Sequence, residues 1–332
     1  MTMTTIHRIE VPIPFPLKSV NCYFVEDSIP TLIDTGVLSK EGFRLLKEGV
    51  MRTGNRIEDI KRIILTHGHT DHSGLAGELS SLSGAQVYIH SWDVNKTRRS
   101  DDGYIEEVKE NFSRYFKEAG LPREVAEMIV AAVEDRYRRL VSPLPFHIPL
   151  KGGEVFRFDD FVMDVIHTPG HSAGSICLLI RERGILFSGD TLLPRITPNP
   201  ISEVLAPEGE KSYKALEHFN RSLDRIGHLD VTLTYPGHGE PIRDHLRRVE
   251  ELKSHHRSRK NLVLNILKNG CHGPETGMTQ YQIAKRLFVN KKEVEMFLCL
   301  SEVRAHLEIL EGEGLVERSM LQDSFVYLPT FR

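Results

Sequence analysis

The stretch LTHGHTDHSG, residues 65–74, constrains this chain more than any other. Six consecutive positions, His67 to His72, hold three histidines and an aspartate, and they follow directly on the apolar run RIIL (62–65). Imidazole and carboxylate are the usual ligands of zinc and similar ions. His67 and His69 project the same way from an extended loop. Asp71 and His72 come after the turn and face a second ion nearby. Two ions need more donors than this loop supplies, so partners must come from elsewhere in the fold.

Three other strand-like runs end in matching residues. His171 lies in VIHTPGHSAGS (165–175), Asp190 in ILFSGDTLL (185–193) and His238 in LTYPGHGEP (233–241). In α/β sheets, ligands gather outside the carboxyl ends of the strands. Four strand ends then meet at one place. A lone histidine on a loop is ordinarily a solvated surface group; seven ligand-type residues in four such contexts are not. His90, His147, His167, His218, His245 and the pair His255–His256 stand in no ligand context and read as structural or solvent-facing.

Short β-type runs (NCYFVED, TLIDTG, RIILT, AQVYIH, FVMDVIHT, SICLLI, GILFSG, VTLTYPG) recur over the first 240 residues or so and end in turn-forming residues. Helical patterns at 38–54 and 212–227 sit between them, the second with Leu216, Phe219, Leu223 and Ile226 at helical spacing. This is the pattern of an α/β layered domain, expected over 1–250. Residues 92–145 interrupt it with two helices, the second opened by Pro122. This insertion reads as a lid, a surface elaboration or a dimer contact. From 251 to 332 three helices and a short β pair follow, the order of a winged helix, with HHRSRK (255–260) as a solvated linker.

THGHTDH, TPGHSAGS, FSGDTLL and YPGHG, in that order, with TLIDTG upstream, resemble the metallo-β-lactamase superfamily over roughly residues 6–245. The resemblance implies an αββα sandwich with two divalent ions at one sheet edge. His67, His69 and His171 would form the first site; Asp71, His72 and His238 the second. Asp190 would bridge, and Asp34 would support the ligand loop from beneath. Aspartate at 190, where many β-lactamases of this fold carry cysteine, resembles the glyoxalase-II-like branch. Zinc is the expected metal, with iron or manganese as alternatives.

Two ions about 3.5–4 Å apart share a hydroxide that is nucleophilic at neutral pH. Asp71 would both bind a metal and orient or deprotonate that nucleophile. The reaction class is therefore hydrolysis. GHGEPI followed by the helical tail resembles the lactamase-beta-like group, which implies either acyl-thioester hydrolysis or cleavage of single-stranded RNA. A small acyl thioester or related ester is the favoured substrate. The alternatives are an endoribonuclease and a non-catalytic winged-helix regulator with a relic metal site. Arg195, five residues past Asp190, is a candidate anion contact at the pocket mouth. Phe112, Phe116, Met128, Ile129 and Val133 would suit an acyl chain if the insertion covers the site.

Duplex DNA is disfavoured as a partner. Between 291 and 313 the third tail helix carries Lys291, Lys292 and Arg304 against six glutamates. The net charge of -3 gives no global attraction to polyanions or anionic membranes. Four scattered cysteines, without a C-x-x-C pair, indicate neither a zinc knuckle nor a disulfide framework. No basic-then-apolar leader and no long apolar run appears, so a cytoplasmic placement is expected. A homodimer is compatible with the tail.

Overall fold

The computed structural model describes residues 4–97, 102–204, 207, 212–271 and 277–330. Part of the insertion read at 92–145, and a few residues of the tail, therefore lie outside the described residues. Two sheets stack face to face. The first has the order β1 (Thr5–Pro12), β2 (Ser19–Glu26), β3 (Thr31–Ile33), β4 (Arg62–Ile64), β5 (Gln86–His90), β6 (Ile148–Leu150). Its β3 to β6 run parallel, and β1 and β2 are antiparallel additions. The second has the order β11 (Leu233–Pro236), β10 (Ile185–Gly189), β9 (Ile176–Ile180), β8 (Val162–His167), β7 (Val155–Arg157).

Alternation along the strands builds the layers. In β9, Ile176, Leu178 and Ile180 face the first sheet, while Cys177 and Leu179 face the opposite way. Both faces are covered, which is why this strand reads as an unbroken apolar run. Helices α1 (Lys40–Met51) and α3 (Ala76–Ser83) cover the outer face of the first sheet. Between them in sequence lies α2 (Thr70–Ser73), inside the ligand loop. Helix α4 (Val94–Thr97) follows β5. Helix α7 (Ala215–Gly227) and the first half of α8 (His245–Gly270) cover the second sheet. The result is the expected αββα sandwich.

The insertion forms α5 (Asp102–Glu118) and α6 (Arg123–Leu140). The tail forms α9 (Gln280–Leu287), α10 (Met296–Gly312) and a small sheet of order β12 (Met278–Thr279), β14 (Ser324–Pro329), β13 (Val316–Leu321). The two regions share one core: Phe112, Phe116 and Ile129 of the insertion cluster with Val263, Leu300, Val303 and Leu307 of the tail. Phe112, Phe116 and Ile129 are thus occupied as core and do not line an acyl pocket; Val133 packs against the same core, and Met128 remains exposed. Gln280 donates to the Tyr115 hydroxyl at 2.8 Å across this junction.

The segment 255–260 is not a linker but the middle of α8, which runs unbroken for 26 residues. His256 is buried, Arg259 pairs with Glu302 at 2.9 Å, and Lys260 pairs with Glu313 at 2.5 Å. The prolines at 12, 14 and 16 mask the first strand in the sequence, yet Ile9, Val11 and Ile13 alternate inward. Among the described residues no helix is long and apolar enough to cross a membrane.

Candidate metal centre

The carboxyl ends of β3, β4, β8, β10 and β11 converge at one edge of the sandwich. Beyond β4 the chain bends at Thr66 and His67, returns to extended backbone at His69, and turns into α2, which opens with His69 at its N-cap. The turn separates His67 and His69 from Asp71 and His72. The donor atoms of His67, His69 and His171 lie within 4.8 Å of one another, as do those of His67, His72 and Asp190, and those of Asp71, His72 and His238. All seven ligand-type residues singled out in the sequence are therefore brought together. They form two adjoining groups linked by His67, His72 and Asp190.

Hydrogen bonds on the far side of each ring fix which nitrogen faces inward. His72 donates from Nδ1 to Asp34 Oδ2 at 2.8 Å, His171 from Nδ1 to the Asn199 carbonyl at 3.0 Å, and His238 from Nδ1 to the Ser19 carbonyl at 2.6 Å. Thr66 Oγ1 gives its own proton to Asp34 and so accepts from His67 Nδ1 at 3.1 Å. In each ring the Nε2 lone pair is left for the centre. His67 Nε2 and His171 Nε2 both face His69 Nδ1, at 2.9 and 3.0 Å. His72 Nε2 faces His238 Nε2 at 3.3 Å.

Such convergence suits a cation. Among the described residues Asp190 Oδ1 is buried without a hydrogen-bond partner, and it stands 3.4 Å from His72 Nε2. Asp190 Oδ2 stands 3.6 Å from His171 Nε2 and 3.4 Å from His238 Nε2, so this carboxylate touches both groups. Asp71 Oδ2 lies 3.4 Å from His238 Nε2. Burial opposes a charge on His238, yet Asp190 and Asp71 outweigh it and hold its pKa up at about 10. Burial and the neighbouring imidazoles push His67 the other way, which keeps it neutral. Burial also works against ionisation of Asp190, but His238 and His72 hold its carboxyl well below the usual range. Carboxylates that draw protons onto imidazoles would draw a divalent cation more strongly. The donor set of imidazoles and carboxylates, the orphaned oxygen and the inward lone pairs all fit divalent metal.

Asp34 sits beneath the loop. Its carboxylate takes the Thr66 amide and hydroxyl and the His72 ring, each at 2.8 Å, from a left-handed backbone with φ of 58°. Other supports were not legible in the sequence. Asn21 donates to the carbonyls of Pro236 and Gly239 at 2.9 and 2.8 Å, and Tyr23 donates to Pro236 at 2.7 Å, so β2 holds the His238 loop. Arg248 of α8 donates to the carbonyls of Leu193 and Ile196, each at 2.6 Å, and holds the loop after Asp190. Asn199 links the His171 ring to the Leu298 carbonyl of α10 at 3.0 Å. These are ordinary polar residues whose partners only the fold reveals. Arg195 is exposed on the Asp190 loop; Arg8 first, and Arg195 after it, hold the Glu240 carboxyl below its usual range. Of the histidines outside the ligand contexts, His90 and His167 stack at 3.7 Å and His245 bonds the Leu229 carbonyl.

Comparison with known proteins agrees with this geometry. The sequence pattern of the metallo-beta-lactamase superfamily matches residues 16–238. The chain is 31% identical to the probable metallo-hydrolase YqjP of Bacillus subtilis, over the full length of both. It is 28% identical to the hydroxyacylglutathione hydrolase GloC of Haemophilus influenzae, over 54% of this chain and 70% of that one. The crystal structure of a metallo-beta-lactamase family protein from Thermus thermophilus superposes with a TM-score of 0.82 at 30% identity, covering 98% of each chain. On fold, ligand geometry and full-length similarity together, this chain belongs to the metallo-β-lactamase superfamily.

Proposed function

We propose that this chain is a dinuclear-metal hydrolase of small acyl thioesters or related esters. The observation that carries it is the pair of adjoining ligand groups joined by an aspartate, Asp190, in contact with both. A carboxylate at that position suits oxygen-preferring ions as well as zinc. The similarity to a protein named a hydroxyacylglutathione hydrolase favours a thioester over a phosphodiester.

Divalent ions held there supply the Lewis acidity that makes water nucleophilic near neutral pH and polarises an acyl oxygen. His67 and His171, kept neutral by burial, would present their Nε2 lone pairs to one group alongside His69; His72 and His238 would present theirs to the other once a cation takes the place of their protons. Asp71 is buried, which opposes its ionisation, but His72 and His238 hold its carboxyl below the usual range, so it is charged at neutral pH. One oxygen faces the histidine group and the other is available to orient water and carry its proton. Asp34 keeps His72 in the tautomer that faces inward. Arg195, exposed on the loop after Asp190, is the candidate contact for an anionic thiol carrier.

The test is thiol release from a panel of acyl-coenzyme A and acyl-glutathione thioesters, with Asp71→Asn as the blank. Turnover is expected in the wild type and should fall by about a hundredfold or more in the variant. No thiol release on any thioester, with two metals bound per chain, would overturn the reading and bring single-stranded RNA forward.

A further inference from the structure

Beside the three-histidine group lies a buried charged cluster with no assigned role: Asp93, Lys96, Ser172 and Glu203. Asp93 follows β5, Lys96 lies in α4, and Glu203 lies on the loop that leads on from Asp190 and Asn199. Asp93 is fully buried and its carboxylate accepts four hydrogen bonds. Two come from backbone amides, Gly68 at 2.7 Å and Gly174 at 2.9 Å. The others come from the Ser172 hydroxyl at 2.5 Å and Lys96 Nζ at 2.8 Å. Lys96 uses its remaining protons on Ser172 Oγ at 2.5 Å and Glu203 Oε1 at 2.6 Å. Glu203 Oε1 in turn accepts the Ala173 amide at 3.0 Å.

The partners are not scattered. Gly68 stands between His67 and His69. Ser172, Ala173 and Gly174 directly follow His171. Every backbone group the cluster holds belongs to the two loops that carry the three histidines, and none belongs to the Asp71, His72 or His238 segments. The loops rest on the cluster without room for a side chain. A Cβ at Gly68 would sit 2.7 Å from Lys96 Cβ, and one at Gly174 would sit 2.6 Å from Asp93 Cβ. Placing an ammonium and a carboxylate at such depth is costly unless every donor and acceptor is used, as here.

We propose that Asp93, Lys96 and Glu203 form a charge clamp that fixes the spacing of the His67–His69 and His171 loops and so sets the divalent-cation affinity of the three-histidine site. The clamp is a positioning device: it touches neither ion nor substrate, and acts through the backbone of the ligand loops. Its effect is therefore selective for one site of the two. This rests on the metal-centre reading above.

The probe is zinc alone, titrated against a chromophoric chelator into the metal-stripped full-length chain. Two backgrounds isolate the sites: Asp71→Ala with His238→Ala leaves the three-histidine site, and His69→Ala with His171→Ala leaves the other. Asp93→Asn, close in shape, is expected to weaken zinc binding about tenfold to a hundredfold in the first background and less than about twofold in the second. Glu203→Gln, at the outer end of the clamp, should give a smaller loss with the same selectivity and serves if Asp93→Asn does not fold. Phe116→Leu, in the distant joint core, should lower Tm and leave zinc affinity unchanged. Equal weakening of both sites, no weakening in the folded clamp variants, or the same loss from Phe116→Leu would overturn the clamp. Absence of zinc binding in both backgrounds and in the wild type would instead overturn the metal-centre reading and the clamp with it.

Discussion

At the scale of single residues, Gly237 shows how little room the centre leaves. A Cβ there would collide with Asp190 Oδ1 and lie 2.7 Å from His72 Cε1. The backbone at this position is not in the left-handed region, so alanine would be tolerated conformationally and excluded only by space. Gly237→Ala should weaken the Asp71–His72–His238 site by about tenfold or more with little loss of Tm. Metal analysis after dialysis checks it: a full complement of two ions would show that the loop gives way. The same scale explains what could be read from the chain. The candidate ligands were legible because histidine and aspartate are chemically distinctive and recur after strand-like runs. Asp93, Asn21, Tyr23 and Arg248 were not, because each is an ordinary polar residue until the fold supplies its partners. Phe112 and Phe116 could be read as pocket residues, were the insertion a lid, because a helical apolar stripe looks the same whether it meets a ligand or a core.

At the scale of elements, α8 is the instructive case. HHRSRK reads as solvated from its charges, but Val249, Leu252, His256, Val263 and Leu267 are buried at helical spacing along the same helix. His256 donates to Asn220 Oδ1 at 3.0 Å, and His306 of α10 is buried near it. Burial, then the neighbouring His255, pushes His256 down to about 4; burial, then His256 and nearby cations, pushes His306 to about 3. Their folded pKa values lie below the unfolded value of 6.5. The unfolded chain therefore takes up protons first as pH falls. Stability is full above the unfolded value and declines between it and the folded values, by about 2 kcal/mol per histidine near pH 5. Urea unfolding at several pH values should show this decline, and His306→Gln should flatten it even though it lowers stability at neutral pH. An unchanged slope in that variant would exclude His306 as a source.

At the scale of the whole molecule, the insertion and the tail stand or fall together. Phe116 is fully buried in a core drawn from both. Phe116→Ala should cost about 3–5 kcal/mol and destabilise the tail as well as the helix that carries it. The single tryptophan, Trp92, packs with Ala173, Tyr213 and Ala215 and so reports on the loop that follows His171, whereas circular dichroism is dominated by the long helices. Coincident transitions by the two probes are expected in wild type and in Phe116→Ala; separate transitions would show that the tail unfolds by itself. The α/β layering was legible from strand runs and turn residues, since their period is local, and the αββα order came only with the resemblance carried by the histidine and aspartate motifs. The joint core was not, because residues 112 and 300 carry no local mark of each other.

That joint core also bears on how such chains diverge. A change of side-chain volume on either partner helix must be matched on the other, although more than a hundred residues separate them. Grafting the tail of a relative onto this sandwich would bring a mismatched face to α5 and α6, whereas exchanging the insertion and tail as a pair would carry the fit along. The two segments are, for purposes of recombination, one inherited piece written in two places.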